Sequence, residues 1–143
     1  MTAVPAQPNV PAQLNVPAQL NVVVLGVQDL ARTRAFYEAL GWRSRPRNGM
    51  FARFQLGDAD LVLFPAEALA EVVGLPVITG EGFKGSASAM ILQSPGAIDA
   101  ALAAVRAAGG SVLAEPADRP WGPRTAYFAD PEGNAWELAC IPT

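Results

Sequence analysis

The sequence predicts an α+β domain built from two consecutive βαβββ modules. Three observations carry this reading. The order strand, helix, three strands occurs twice; each helical stripe lies between a capping residue and a glycine; and each half closes on two strands joined by a turn-forming segment. In the first half, residues 22–27 (VVVLGV) are a β-branched run that stops before Asp29, which can accept from the free N–H groups of a helix start. Leu30, Thr33, Phe36, Tyr37 and Leu40 fall on one helical stripe, and Gly41 ends it. Residues 42–47, 50–56 and 60–65 read as strands, the last two joined at Gly57-Asp58.

The second half repeats the order. Residues 87–93 are apolar and extended, and Ser94-Pro95 places an N-cap before proline at the first helical position. Ile98, Ala101, Leu102, Val105 and Ala108 form the stripe, which Gly109-Gly110 ends. Strands follow at 111–114, 124–129 and 134–141, the last two joined by the turn residues Asp130-Pro131-Glu132-Gly133. This divides the chain into an arm (1–20) and a single domain (21–142). The domain comprises module one (21–65), a linker with one short helix around EALAEVV (66–84), and module two (85–142). Two similar modules imply an internal pseudo-twofold, and a cleft between their sheets is the natural place for a ligand.

Composition narrows the chemistry. A chain of 143 residues, 51% hydrophobic and 16% charged, can bury a proper core as one domain. A net charge of -3 argues against a nucleic-acid partner, which would call for a basic stripe. One cysteine makes no intrachain disulfide, and no apolar run is long enough to span a membrane, so a cytoplasmic protein is expected. The absence of histidine excludes a His general base, Ser-His-Asp or Cys-His catalysis, and any imidazole-held metal. Residues 4–21 read VPAQPN, VPAQLN, VPAQLN; a proline in every six residues excludes a helix and leaves extended or polyproline-like chain. Such an arm is either a solvated tail or a segment that docks on a sheet edge, of its own or another subunit.

The stretches LGVQDLARTRAFYEALGW (25–42) and YFADPEGNAWELA (127–139) resemble the two signatures of the vicinal oxygen chelate superfamily. That superfamily includes glyoxalase I, bleomycin-resistance proteins, fosfomycin-resistance enzymes and extradiol dioxygenases. The resemblance covers about residues 21–142. It implies paired modules whose mixed sheets curl into an open cup, and usually a homodimer. In metal-dependent members one ligand stands on the first strand of each module and a glutamate on the last strand. Those positions fall here on Val22, on Ala87 or a close neighbour, and on Glu137. With two of three apolar, no metal and no other cofactor is expected.

Strand parity turns Glu137, Thr125 and Tyr127 into the cup and leaves Trp136, Leu138, Cys140 and Phe128 for the core. A tyrosine matching Tyr127 touches ligand in the fosfomycin-resistance enzymes. Carrying the hairpin match to module one places Phe51, Arg53, Gln55, Leu61 and Leu63 inside, with Phe54, Leu56, Val62 and Phe64 in the core. Glu137 either meets ligand or pairs with Arg53 across the cup, and Trp121 covers the mouth or packs on a partner subunit. The expected ligand-binding set is Phe51, Arg53, Leu63, Trp121, Tyr127 and Glu137. The expected function is metal-free binding of an apolar or aromatic small molecule, as in the bleomycin-resistance branch. The alternative is an enzyme of lyase or isomerase type, by proton transfer with Glu137 as base or through an atypical metal site.

Overall fold

The computed structural model describes residues 15–45 and 49–142. Module one comprises β1 (Val22–Val27), α1 (Leu30–Ala39), β2 (Ser44–Arg45), β3 (Ala52–Leu56) and β4 (Ala59–Pro65). Then comes α2 (Ala66–Val73), followed by module two: β5 (Ala87–Leu92), α3 (Pro95–Ala107), β6 (Ser111–Asp118), β7 (Arg124–Ala129) and β8 (Ala135–Cys140). The doubled βαβββ order is the one the sequence predicts. Each module forms one mixed sheet, in the orders β1-β4-β3-β2 and β5-β8-β7-β6, with a parallel pair β1·β4 or β5·β8 and antiparallel hairpins beside it. The sheets do not close on each other.

Both helices start as read. Asp29 Oδ1 accepts from Arg32 N at 3.0 Å, and Ser94 Oγ from Ala97 N at 3.1 Å. The strand expected over 42–47 starts two residues later, at Ser44–Arg45, since Trp42 and Arg43 are not in a strand; residues 46–48 lie outside the described residues. The arm's residues 1–14 lie outside them as well. The β6 strand runs past the expected end at 114 as far as Asp118, accommodating Pro116 through register shifts after Val112 and after Ala114.

One buried cluster unites the two modules. It contains Phe36 and Tyr37 of α1, Phe54, Leu61 and Leu63 of the first sheet, and Phe128, Trp136 and Leu138 of the second. Phe36 meets Phe128 at 6.4 Å between ring centroids and Tyr37 meets Trp136 at 6.0 Å, so α1 carries aromatic packing from one module into the other. Both sheets therefore turn the sides that carry α1 and α3 toward a common core; their opposite sides, here called the outer faces, are only partly exposed, with Val62, Thr125 and Ala139 buried there and Ala66 of α2 lying against Gly26. Val24 (44% exposed) and Ile91 (63%) stand on these outer faces.

The first sheet corrects one sequence expectation. Phe54 pairs with Leu61 and Ala52 with Leu63, so Leu61 and Leu63 share the core side with Phe54 and are almost wholly buried. The outer face of this sheet instead carries Arg53, Gln55, Asp60, Val62 and Phe64. The cause is the length of the turn. Gly57-Asp58 joins Leu56 directly to Ala59 across a two-residue loop, whereas five residues separate the paired Ala129 and Ala135 of module two. An even loop and an odd loop put opposite parities on one face, and a slip of one residue moves a whole strand's side chains to the other side.

Candidate functional site

The outer face of the second sheet has a floor of small residues. Ala87 and Ala89 of β5 stand beside Ala135, Glu137 and Ala139 of β8, which are followed by Thr125 and Tyr127 of β7 and Ala114 of β6. Glu137 sits near the middle, with Ala89 on one side and Tyr127 on the other. The Tyr127 hydroxyl donates a hydrogen bond to Glu137 Oε1. Arg119, from the β6–β7 hairpin, lies over the Tyr127 ring at 5.8 Å and donates through Nε to Thr125 Oγ1 at 2.7 Å. The Tyr127 pKa is raised, chiefly because its hydroxyl is held by the Glu137 carboxylate; burial adds to this, while Thr125 and Arg119 pull the other way.

Arg53 does not join this cluster. Its Nε donates to Asp60 Oδ2 at 2.6 Å on the first sheet, half-exposed, so the pair contributes under about 1 kcal/mol. The sequence option of a Glu137–Arg53 ion pair is thus overturned, since each has its own local partner. Arg53 lies with Arg43, Arg45 and Gln55 around a recess of about 260 Å³, a basic pole on the outer face of module one. Phe51 stacks on Phe64 at 6.3 Å beside it. Leu63 is in the core and has no part in any site. Trp121 stands 71% exposed at the hairpin tip, and it is Arg119, two residues earlier, that reaches Tyr127. Arg119 escaped the sequence reading because it lies outside regular alternation. A turn in which Gly122 N donates to Arg119 O at 3.0 Å, and Arg119 N to Pro123 O at 2.8 Å, sets its position.

A second recess, of about 600 Å³, lies where residues 80–84 of the linker cross the end of the same outer face, against Ser111, Ala129 and Ala135. Lys84 Nζ donates to Glu132 O at 2.7 Å and ties the crossing down.

The donor set does not suit a divalent cation. Val22 and Ala87 stand on outer faces without a ligating atom, and the Glu137 carboxylate is engaged by Tyr127. Among the described residues, no three His, Cys, Asp or Glu side chains gather as an ion would need. None of the described helices is long and apolar enough to cross a membrane.

Two four-stranded mixed sheets around one core, each made by one module, define a double-βαβββ protein. The chain belongs to the glyoxalase/bleomycin resistance protein/dioxygenase superfamily, whose family model matches residues 19–138. It is similar to a glyoxalase-related enzyme from Fulvimarina pelagi (31% identity, TM-score 0.78, covering 87% of this chain and 89% of that one). A glyoxalase/bleomycin resistance protein/dioxygenase from Nocardioides is also 31% identical, with TM-score 0.73, covering 91% of this chain and 87% of that one. A lactoylglutathione lyase from Agrobacterium tumefaciens shares the fold at 23% identity and TM-score 0.65, covering 87% of this chain and 95% of that one. No protein of curated description matches the chain.

Proposed function

We propose that this protein is a metal-free, cytoplasmic small-molecule binder that holds an apolar or aromatic ligand on the outer face of its second sheet. The observation that carries this reading is the hydrogen-bonded Tyr127–Glu137 pair set in a floor of alanines. Small side chains leave a shallow apolar bed for a flat molecule, and one charge-assisted pair at its centre supplies orientation. Because the two outer faces turn away from each other around a shared core, a cup with two walls needs module one of one copy and module two of another. A homodimer is therefore part of the proposal, with the Arg43–Arg45–Arg53 pole of one copy facing the Glu137 pole of its partner.

The same pair favours one alternative. Glu137 could accept a proton from a bound carbon acid while the Tyr127 hydroxyl steadies the carboxylate, giving an isomerase- or lyase-type reaction without metal. The test is a thermal-shift screen of apolar antibiotics and aromatic metabolites on metal-analysed protein, repeated on Tyr127→Phe and Glu137→Gln. Hits whose stabilisation falls in both variants support the site, and unchanged shifts in both refute it. One equivalent of tightly held transition metal in the purified protein would refute the metal-free reading. Turnover of a hit that vanishes in Glu137→Gln would favour the enzyme.

A further inference from the structure

The register of the first sheet sets like charges against each other. Arg45 of β2 pairs directly with Arg53 of β3, and the pair stands on the outer face because its neighbours, Ser44 and Phe54, are buried on the core side. Side chains opposed in this way lie about 5 Å apart at Cβ, and like charges so placed are destabilising. Arg43, two residues before Arg45, joins them around the recess of about 260 Å³. Three arginines meet one aspartate there, Asp60, whose carboxylate accepts from Arg53 Nε. Among the described residues, no carboxylate engages Arg43 or Arg45. Two positive charges are thus left over at this one place, in a chain whose net charge is -3. An anion in the recess would offset that repulsion.

The same face turns apolar within one step along the strands. Phe51 precedes Arg53 by two residues, so the two side chains share a face about 7 Å apart. The Phe51 ring stacks on Phe64 of β4 at 6.3 Å, with 27° between the planes. Val62, opposite Arg53 in the ladder, continues the apolar floor. Arg34 of α1 donates through Nη2 to the Phe51 carbonyl at 2.9 Å and so fixes the backbone just before β3. Ala66 of α2 lies against Gly26, the ladder partner of Phe64, and walls the apolar end. Charged donors at one end and an aromatic platform at the other suit a flat molecule with an anionic head.

We infer that the outer face of module one binds a small aromatic molecule bearing a doubly charged oxyanion, of the type of a phosphate monoester, with the head among Arg43, Arg45 and Arg53 and the ring against Phe51. Each guanidinium presents its donors in a planar fork that can meet two oxygens of one phosphoryl group. A phosphate ester carries close to two negative charges at neutral pH, answering the two left over in the recess. A single carboxylate would leave one of them unmet. Gln55 adds an amide donor at the recess wall. The contact lies within one chain. This head group deepens the proposed function, and rests on it only for the opposite wall that a second copy would supply.

Calorimetric titration of the full chain at low salt, where surface charges are least screened, tests this with phenyl phosphate, benzoate and benzyl alcohol. Phenyl phosphate should bind more tightly than the other two. Arg45→Gln should weaken it by roughly ten- to hundredfold, the loss expected for a charge-assisted contact. Phe51→Leu should weaken it by roughly three- to tenfold through the lost ring contact. Arg106→Gln changes the net charge equally but on α3, where Arg106 pairs with Glu115, and should leave binding as it was. Relief of repulsion gives a second readout: without ligand, Arg45→Gln should melt no lower than the wild type. A clearly lower melting temperature would mean that no repulsion is held there and would overturn the case for an anion. Absent binding of phenyl phosphate, or equal losses in Arg45→Gln and Arg106→Gln, would overturn the site. Benzoate binding as tightly as phenyl phosphate would overturn the doubly charged head. The two readings fail separately. Phenyl phosphate binding lost in Arg45→Gln but kept in Glu137→Gln supports this site without the wall on module two, whereas neutral aromatic hits that depend on Glu137, with no binding of phenyl phosphate, overturn this site and spare the other.

Discussion

The Tyr37 hydroxyl donates to Asp130 Oδ2 at 2.6 Å, joining the helix of module one to the last turn of module two across 93 residues of sequence. Both groups are buried, and neither is idle elsewhere. Trp136 Nε1 donates to the same hydroxyl at 2.9 Å, and Asp130 also accepts from Glu132 N, Asn134 N and Asn134 Nδ2, each at 2.9 Å. The carboxylate therefore builds its own turn and anchors the neighbouring module at once. A buried polar network satisfied on every side makes the two modules a single cooperative unit.

Tyr37→Phe should lower unfolding free energy by about 1–3 kcal/mol, because it strips a donor from the buried Asp130 and an acceptor from Trp136 while leaving the ring packing in place. Urea unfolding measures this. Tyr37 also sets an alkaline limit. Burial first, then the charge of Asp130, pushes its pKa well above the ordinary 10.0. The folded state thus holds this proton where the unfolded state releases it. The contribution is whole below pH 10 and declines as pH rises beyond it. Stability of the wild type should fall above that pH more steeply than that of Tyr37→Phe.

Gly110→Ala should destabilise by about 1–3 kcal/mol through overpacking. An added Cβ would lie 2.6 Å from Phe36 Cε1, 2.8 Å from Val105 Cγ1 and 2.9 Å from Ala129 O, all parts of the shared core or its backbone. Gly109→Ala is the control: its Cβ would meet nothing within 4 Å, and only its left-handed φ of +93° resists the change. Thermal melts should show the Gly110 variant losing near-ultraviolet dichroism from the aromatic cluster, while the Gly109 variant keeps it.

Glu132→Ala should cost about 1–2 kcal/mol, more than Glu132→Gln, in denaturant unfolding. Glu132 Oε1 accepts from Gln28 N at 2.8 Å and Oε2 from Asp29 N at 3.0 Å, so one carboxylate holds the chain entering α1 from the far module. Glutamine keeps one acceptor and alanine neither. Equal losses in the two variants would mean that the carboxylate's second oxygen contributes nothing.

The chain has two tyrosines, and Tyr37 keeps its proton while the fold stands, so native tyrosine absorbance in mildly alkaline solution reports Tyr127. Glu137→Gln should bring that titration down toward the ordinary tyrosine range, since the hydrogen bond to the carboxylate is the main cause of its elevation. A titration that stays where it was would place the cause elsewhere.

The fold was legible because each element announces itself locally: caps at Asp29 and Ser94, a glycine after each helix, and alternation in β7 and β8. Module two's outer face was legible for the same reason, and Glu137 and Tyr127 meet there as the parity of their strands predicts. Module one's was not, because facing depends on the number of turn residues, and Leu63 changed sides with a loop of two in place of an odd one. Arg119 and the Tyr37–Asp130 bond were invisible for another reason. They depend on how a hairpin tip folds back and how two distant segments meet, and neither leaves a periodic trace.

Because both sheets spend their helix sides on a common core, the alanine floor around Glu137 lies outside the structure's mechanical centre. Enlarging Ala89 to valine or leucine should change the shape offered to a ligand without forcing Phe36, Phe128 or Trp136 to move. A population of variants could thus drift across this face and explore new molecules while remaining folded. Recognition here is free to diverge at a rate that the interior does not govern.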